Sequence, residues 1–457
     1  MGSKVKKYGV LFCAGIIVAF FASFVSRIVV QKVFWEKYHM NLSCKWLFLD
    51  KDDNFVESKK NKDKRTDNVL DAGYWERRYP FKNVETCNEA EKKSRLRKWQ
   101  DATNERMEGL RNKLNLHMEN YLFGYNQMVS WSRKYEELLG KNLELVPINS
   151  VYKLPDDYLT FFHERKSSHE MVKNVKQFFD YGKTLGAECV YICAPFKVWE
   201  RDTGCYGVKD FSNQNADEFL HGLEKNGIRY IDLREQIRRQ KWDNHTLFFR
   251  TDHHWLPATA LWATNEVGTF LNRELGKKIA VENFDPARFR RVTYEKWFLG
   301  VQGKKVTLQN AIPDDIDLFY TKDKVDLHLC VPSRGVDIKG DFDVWYDMKE
   351  IEPRNYYESK PYSAYGYGEN PFVRVHNNGA VPDVKVLLVR DSFGDAFYPF
   401  FSLGVRDMTI VDLRYFTGSL VTLAEEEKPD IILVLYNPDM FDWEMDYSNH
   451  KDIWDFR

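Results

Sequence analysis

Two rhythms of apolar residues run through the chain from about residue 168 onward. HEMVKNVKQFFDYGKTLG places its apolar residues three and four apart and stops at Gly186, which predicts an amphipathic helix. ECVYICAP follows as a short, nearly unbroken apolar run, the pattern of a strand buried on both faces of a parallel sheet. ADEFLHGLEKNG is a second glycine-stopped helix and IRYIDL a second strand. LPATALWATNEVGTFLNREL reads as a helix with Pro257 in its first turn. VKVLLVRDSFGDAFYPFFSLG reads as strand, tight turn and helix, the helix starting near Asp395. MTIVDL and PDIILVLYNP are two more strands. This alternation predicts a three-layer α/β domain with a mostly parallel sheet. Residues 281–380 are rich in turns and charges and read as an insertion or long loops.

The first half has a different grammar. Lys4, Lys6 and Lys7 precede an uncharged run from Tyr8 to Ser26, 19 residues, about one hydrocarbon thickness of helix. No small-x-small cleavage site closes the run, so it reads as an uncleaved signal anchor. A cleaved signal peptide and a buried helix are the alternatives. Arg27, Lys32 and Lys37 follow the span and weaken the charge asymmetry that would orient it. The charged stretch KDDNFVESKKNKDKRTDN has little to bury and reads as an exposed loop. Residues 88–123 then predict a long helix whose stripe, Leu96, Trp99, Thr103, Met107, Leu110, Leu114 and Met118, packs on the domain or on another helix.

Composition narrows the function classes. A formal net charge of -1 lacks the basic excess of a nucleic-acid binder. With 43% apolar residues the chain can form a real core, and its 25 Tyr and 13 Trp fit a carbohydrate cleft or a protein interface. The cysteines are Cys13, Cys44, Cys87, Cys189, Cys193, Cys205 and Cys330. Cys193 and Cys205 make a plausible pair across a loop, and buried free thiols serve equally well.

Two stretches carry candidate chemistry. In VRDSFGDAF, Ser392 leaves a strand just before a helix, where open α/β sheets bind ligands. There its hydroxyl is exposed and the next backbone N–H groups, of Phe393 and Gly394, can face an anion, as a nucleophile with an oxyanion hole requires. Equally, Ser392 can simply cap the helix, and Asp391 and Asp395 can be turn and cap residues. In TDHHW, Asp252 and His254 are one residue apart and can face the same side in an extended turn. A serine hydroxyl needs a base, and an imidazole base needs a carboxylate to fix its tautomer. His253 then faces elsewhere, and Trp255 packs beneath the turn. A zinc site is the competing reading, but adjacent histidines on an extended turn point apart and no HExxH follows. A structural histidine pair is the third. Asn437, in LYNPD at a strand end, is a candidate side-chain donor or a turn residue before Pro438. Arg390 and Arg414 are candidates to hold an acidic sugar or carboxylate, or else to form surface salt bridges.

GIRYIDLREQIRR, LFFRTDHHW and VLLVRDSFGDAF together resemble the DHHW protein family. They are also similar to the wider SGNH-hydrolase-like group that includes the alginate O-acetyltransferases AlgX and AlgJ. WLFLD near residue 46 resembles the early strand of that group, and the resemblance covers about 42–440. It implies an SGNH-hydrolase-like three-layer sandwich with a mostly parallel sheet. It further implies Asp252 and His254 from a D-x-H-W motif, with Ser392 as nucleophile later in the chain. The serine motif here reads RDSFG, and the usual SGNH glycine and asparagine blocks are not plain. The expected organisation is a cytoplasmic tail (1–7), a transmembrane signal anchor (8–30), a membrane-proximal region with the long helix (31–160) and the SGNH-like domain (161–457). The expected activity is O-acyl transfer, most simply acetyl, to an extracytoplasmic polysaccharide, without metal or cofactor. An acyl donor and a multi-pass membrane-bound O-acyltransferase are the implied partners. A carbohydrate esterase using the same residues and a non-catalytic glycan scaffold are the alternatives.

Overall fold

The computed structural model describes residues 147, 150–199, 202, 209–308, 310–442 and 453–457. The expected anchor, the charged loop and the 88–123 helix lie outside the described residues. No described helix is long and apolar enough to cross a membrane.

A small antiparallel pair, β1 (Tyr152–Lys153) and β2 (Leu159–Thr160), leads into helix α1 (His169–Thr184). α1 buries Val172, Val175, Phe178 and Phe179 on one face. Gly186 then takes a φ of +86°, the left-handed geometry in which a side chain is strained, and turns the chain into β3 (Glu188–Cys193). Helix α2 (Ser212–Lys225) starts four residues before its apolar pattern does. The reason is local: the Asp210 carboxylate accepts the Ser212 N–H at 3.1 Å and organises the first turn. β4 (Tyr230–Asp232) is short because Asp232 caps helix α3 (Leu233–Gln240), taking the Arg234 N–H. The long helix α4 (Pro257–Leu275) follows the TDHHW turn.

Residues 281–380 are not an insertion set apart from the sheet. They supply a separate hairpin, β5 (Phe289–Phe298) and β6 (Asp314–Thr321), with the short helix α5 (Val301–Val306) between them. They also supply β7 (Leu327–Val331), β8 (Val336–Gly340) and β9 (Phe372–Asn377), which extend the central sheet. Then come β10 (Lys385–Arg390), α6 (Gly394–Phe401), β11 (Asp407–Val411), α7 (Leu420–Glu427) and β12 (Ile431–Tyr436).

The eight-stranded sheet runs β4-β3-β12-β10-β11-β9-β7-β8. β4 through β11 pair in parallel, and β9, β7 and β8 join antiparallel. The sheet is therefore mixed, less parallel than the sequence pattern implied. The strand that was unreadable is the half-solvated kind: β8 has no fully buried residue, whereas all six of β12 are buried.

The parallel half forms three layers. Along β3, Val190 and Ile192 face one core while Cys189, Tyr191 and Cys193 face the other. α4 and α6 cover the first face; α1, α2 and α7 cover the second. Cys189, Cys193 and Cys330 are buried free thiols, and Cys205, the partner considered for Cys193, lies outside the described residues. Burial pushes the Cys189 and Cys330 thiols up to about 12, which makes them poor nucleophiles.

Leu433 lies at the centre of this arrangement, fully buried, paired with Leu388 on β10 and Val190 on β3. Leu433→Ala is expected to cost about 2–5 kcal/mol of unfolding free energy. Urea denaturation followed by circular dichroism measures it.

Candidate active site

The carboxyl ends of the parallel strands position the serine. β10 delivers Arg390, the chain turns through Asp391 and Ser392, and α6 starts at Gly394. The turn is built around the buried Asp391 carboxylate. One oxygen accepts the Phe393 N–H at 2.8 Å; the other accepts the Asn437 N–H at 2.6 Å and its side-chain Nδ2 at 2.8 Å. Burial nevertheless pushes Asp391 up to about 6 against the pull of these donors and of Arg414.

These bonds alter what the sequence expected of the neighbours. The Phe393 N–H is committed to Asp391, and the Gly394 N–H donates to the Asp391 carbonyl at 3.0 Å. Neither amide is free for an oxyanion in this arrangement. Among the described residues, the Ser392 N–H donates to no acceptor. Asn437 ties the end of β12 to Asp391, and its Oδ1 accepts the Asp439 N–H at 2.8 Å. Arg390 and Arg414 are buried rather than on the surface. Both hold Asp412, Arg390 at 2.9 Å and Arg414 at 2.7 Å, and Arg390 also stands 2.9 Å from Asp395. They form an ionic floor beneath the serine turn, not a landing place for an acidic sugar. Burial raises Asp395 to about 7 despite Arg390 and Arg414.

The imidazole arrives on a closed loop. Phe248 and Trp255 form an antiparallel bridge, and the Phe249 N–H donates to the His254 carbonyl at 3.2 Å. Trp255 is fully buried and donates its indole N–H to the Phe393 carbonyl at 3.1 Å, joining this loop to the serine turn. Asp252 Oδ1 lies 2.5 Å from His254 Nδ1 and accepts the His254 N–H at 3.0 Å. Asp252 Oδ2 accepts the Val301 N–H at 2.8 Å. His254 Nε2 then lies 2.7 Å from Ser392 Oγ, across 138 positions of sequence. A carboxylate accepts only, so Nδ1 carries the proton and Nε2 is left to accept from the serine hydroxyl. Burial raises Asp252, but His254, His253 and the hydrogen bonds outweigh it and hold the carboxyl far below its usual range.

His253 does not face elsewhere. Its ring lies against His254 with centroids 3.9 Å apart and planes tilted by 35°, and Tyr362 stacks on His254 at 4.0 Å with 18° between planes. Two rings so close to a third must take opposite faces, so the imidazole is held between them. Asp252, His253 and His254 together offer ligand atoms within 4.8 Å. A metal there would have to displace Asp252 from His254, because both His254 nitrogens and both Asp252 oxygens already have partners.

Sequence reasoning missed Tyr362, Gly300 and Val301, all in the stretch read as an insertion. Only the Gly in FLGVQG hinted at a close approach. Gly300 donates its N–H to Thr251 Oγ1 at 2.9 Å, and a Cβ there would come within 2.2 Å of the Asp252 Cβ and 2.5 Å of the Thr251 carbonyl oxygen. Gly300→Ala is therefore expected to destabilise the fold by about 1–3 kcal/mol. A lowered urea midpoint with an unchanged slope would register it.

Residues 160–296 match the family model described as SGNH hydrolase-like domain, acetyltransferase AlgX. That stretch contains Asp252 and His254; Ser392 lies beyond it. The structure of PatB1 from Bacillus cereus is similar with a TM-score of 0.50 and 18% identity, over 65% of this chain and 98% of that one. A DHHW family protein from Eubacterium siraeum has a TM-score of 0.49 and 14% identity, over 65% and 94%. The O-acetyltransferase domain of Pseudomonas putida AlgJ has a TM-score of 0.39 and 12% identity, over 67% and 97%. None of the curated proteins matches the chain. At 18% identity the likeness to PatB1 is one of fold.

Proposed function

We propose that this chain, whose residues 160–296 match the SGNH hydrolase-like model of the acetyltransferase AlgX, is a serine-dependent O-acyltransferase of an extracytoplasmic polysaccharide. The acyl group is most simply acetyl. The observation that carries the proposal is the hydrogen-bonded series Ser392–His254–Asp252, at 2.7 and 2.5 Å.

The steps balance as follows. Ser392 Oγ attacks the carbonyl carbon of an acyl ester or thioester while its proton passes to His254 Nε2. The imidazolium that forms keeps its Nδ1 proton on Asp252, whose charge stabilises it. The Ser392 N–H is the backbone donor available to the developing oxyanion, and one such donor is worth about 3 kcal/mol in the transition state. Collapse expels the donor's leaving group, which takes the proton from His254. A sugar hydroxyl then gives its proton to His254 and attacks the acyl-serine, and Ser392 leaves with that proton.

The apolar run from Tyr8 to Ser26 supports a single-pass anchor, and the likeness to polysaccharide acetyltransferases favours the domain outside the cytoplasm. A multi-pass membrane O-acyltransferase is then a suitable source of the acyl group.

A serine-reactive sulfonyl fluoride is expected to label the wild-type protein. Ser392→Ala and His254→Ala should each abolish labelling while leaving a folded circular dichroism spectrum. Labelling that persists in Ser392→Ala sinks the proposal and leaves the scaffold reading. An acetyl ester supplied with oligosaccharides should yield acetylated sugar; free acetate alone makes the protein an esterase.

Asp252→Asn presents the wrong hydrogen-bonding group to Nδ1. It is expected to lower the transfer rate by about 10⁴-fold, as loss of the orienting acid does in serine hydrolases. Initial rates with the acetyl ester test this.

A further inference from the structure

We infer that Lys197 and Asp314 form a charged clamp on the backbone of residues 250–252, and that Lys197 is a positioning residue for the Asp252–His254 pair. The inference deepens the serine reading above and rests on it for one of its two tests.

Lys197 lies four residues beyond β3 and is fully buried. Its ammonium donates to the Leu159 carbonyl at 2.7 Å, to the Arg250 carbonyl at 3.4 Å and to the Asp252 carbonyl. Three donors thus meet three carbonyls, and two of those belong to the loop that carries the acid. Asp314, at the start of β6, grips the same loop by its donors. It accepts the Arg250 N–H and the Thr251 N–H at 2.8 Å each, and the Thr251 hydroxyl at 2.6 Å. A cation therefore holds the carbonyls of 250 and 252, and an anion holds the amides of 250 and 251.

The helix and strand ladders do not do this for residues 250–252, which lie between elements. The Arg250 carbonyl also accepts the Leu159 N–H at 2.8 Å and the Thr251 carbonyl the Gly303 N–H at 2.9 Å, while the amides of 250 and 251 rely on Asp314 and the Asp252 carbonyl on Lys197. A buried ammonium is costly unless it is paired, so a hydrophobic residue would fill this space at less cost if packing were all that was required. The charge is retained where three carboxylates, Asp252, Asp314 and Asp439, face it.

Lys197 also gives the clamp a pH limit. Burial lowers its pKa to about 8, against the pull of those three carboxylates. The Tyr158 ring lies 5.8 Å from its Nζ, with the Arg250 guanidinium over the same ring, and His253 feels the ammonium charge. Above about pH 8 the neutral amine has two N–H groups and a lone pair set against carbonyl oxygens, and the grip on the loop loosens. Asp252 stays ionised across that range.

Two readouts test the clamp. The first is the rate of sulfonyl fluoride labelling from pH 6 to 10. In the wild type it should fall as pH passes through about 8. In Lys197→Met it should be 10- to 100-fold lower at pH 7 and lack that fall, while Lys197→Arg, if it folds, should carry the fall to higher pH. A wild-type rate that holds level to pH 9.5 overturns the clamp, whether or not any variant folds. The second readout needs no reaction. Proton–nitrogen NMR of histidine-labelled protein should show a hydrogen-bonded His254 Nδ1–H that weakens above about pH 8. An Nδ1–H signal indifferent to that pH range overturns the clamp even if no probe labels the serine, an outcome that would itself sink the serine reading alone.

Discussion

A buried carboxylate governs the site. Asp252 is 2% exposed, and an effective penalty of several kcal/mol attends the removal of such a charge from water. It can stay ionised only if donors reach both of its oxygens. The His254 amide and ring supply two, and the Val301 amide supplies a third from a segment 49 residues away. That last bond forces the backbone at Gly300 against Asp252, at a separation no side chain tolerates. It also requires the 281–380 region to fold onto the loop rather than project from it. The tautomer of His254, the direction of Nε2 and the distance to Ser392 all follow from satisfying this one anion.

The same device recurs along the carboxyl edge of the sheet. β4 ends on Asp232, which accepts the Arg234 N–H; β10 gives way to Asp391, which accepts the Phe393 N–H. β11 gives way to Asp412, which accepts the Arg414 N–H, and β12 to Asn437, which accepts the Asp439 N–H. Each is a side chain turning its own backbone two residues on. A row of such turns lets four parallel strands stop at one level and release their chains upward with the amide two residues on paired each time. Ser392 stands on this row. The buried arginines beneath it, Arg390 and Arg414, neutralise the acids that the turns accumulate.

Much of this was legible in the sequence and part was not. The parallel strands β3, β10 and β12 were plain because burial on both faces leaves an unbroken apolar run. The Asp252, His254 and Ser392 types could be singled out because few residue sets can activate an alcohol. The antiparallel wing was hidden because β8 and the β5–β6 hairpin expose one side and mix polar with apolar positions. For Arg390 and Arg414 the carboxylate alternative matches, but their burial was hidden for the opposite reason. A charged residue in sequence looks like surface, and only the spatial arrangement of Asp412 and Asp395 makes its burial tolerable. Lys197 sat in the readable part, one residue after Phe196, and nothing local distinguishes a lysine that bonds three carbonyls from one in water.

The paired histidines have a physical resolution. Both rings lie near one carboxylate, but Asp252 Oδ1 is 2.5 Å from His254 Nδ1 and 3.7 Å from His253 Nδ1. Burial and the charge that His254 can carry both lower the pKa of His253. A neutral His253 is then a flat, uncharged surface for the neighbouring ring, with Tyr362 as the other. Two imidazolium ions 3.9 Å apart would repel strongly in so dry a place. The carboxylate therefore does more than orient a ring: by bonding one histidine and not the other, it decides which of two adjacent imidazoles can receive the serine proton.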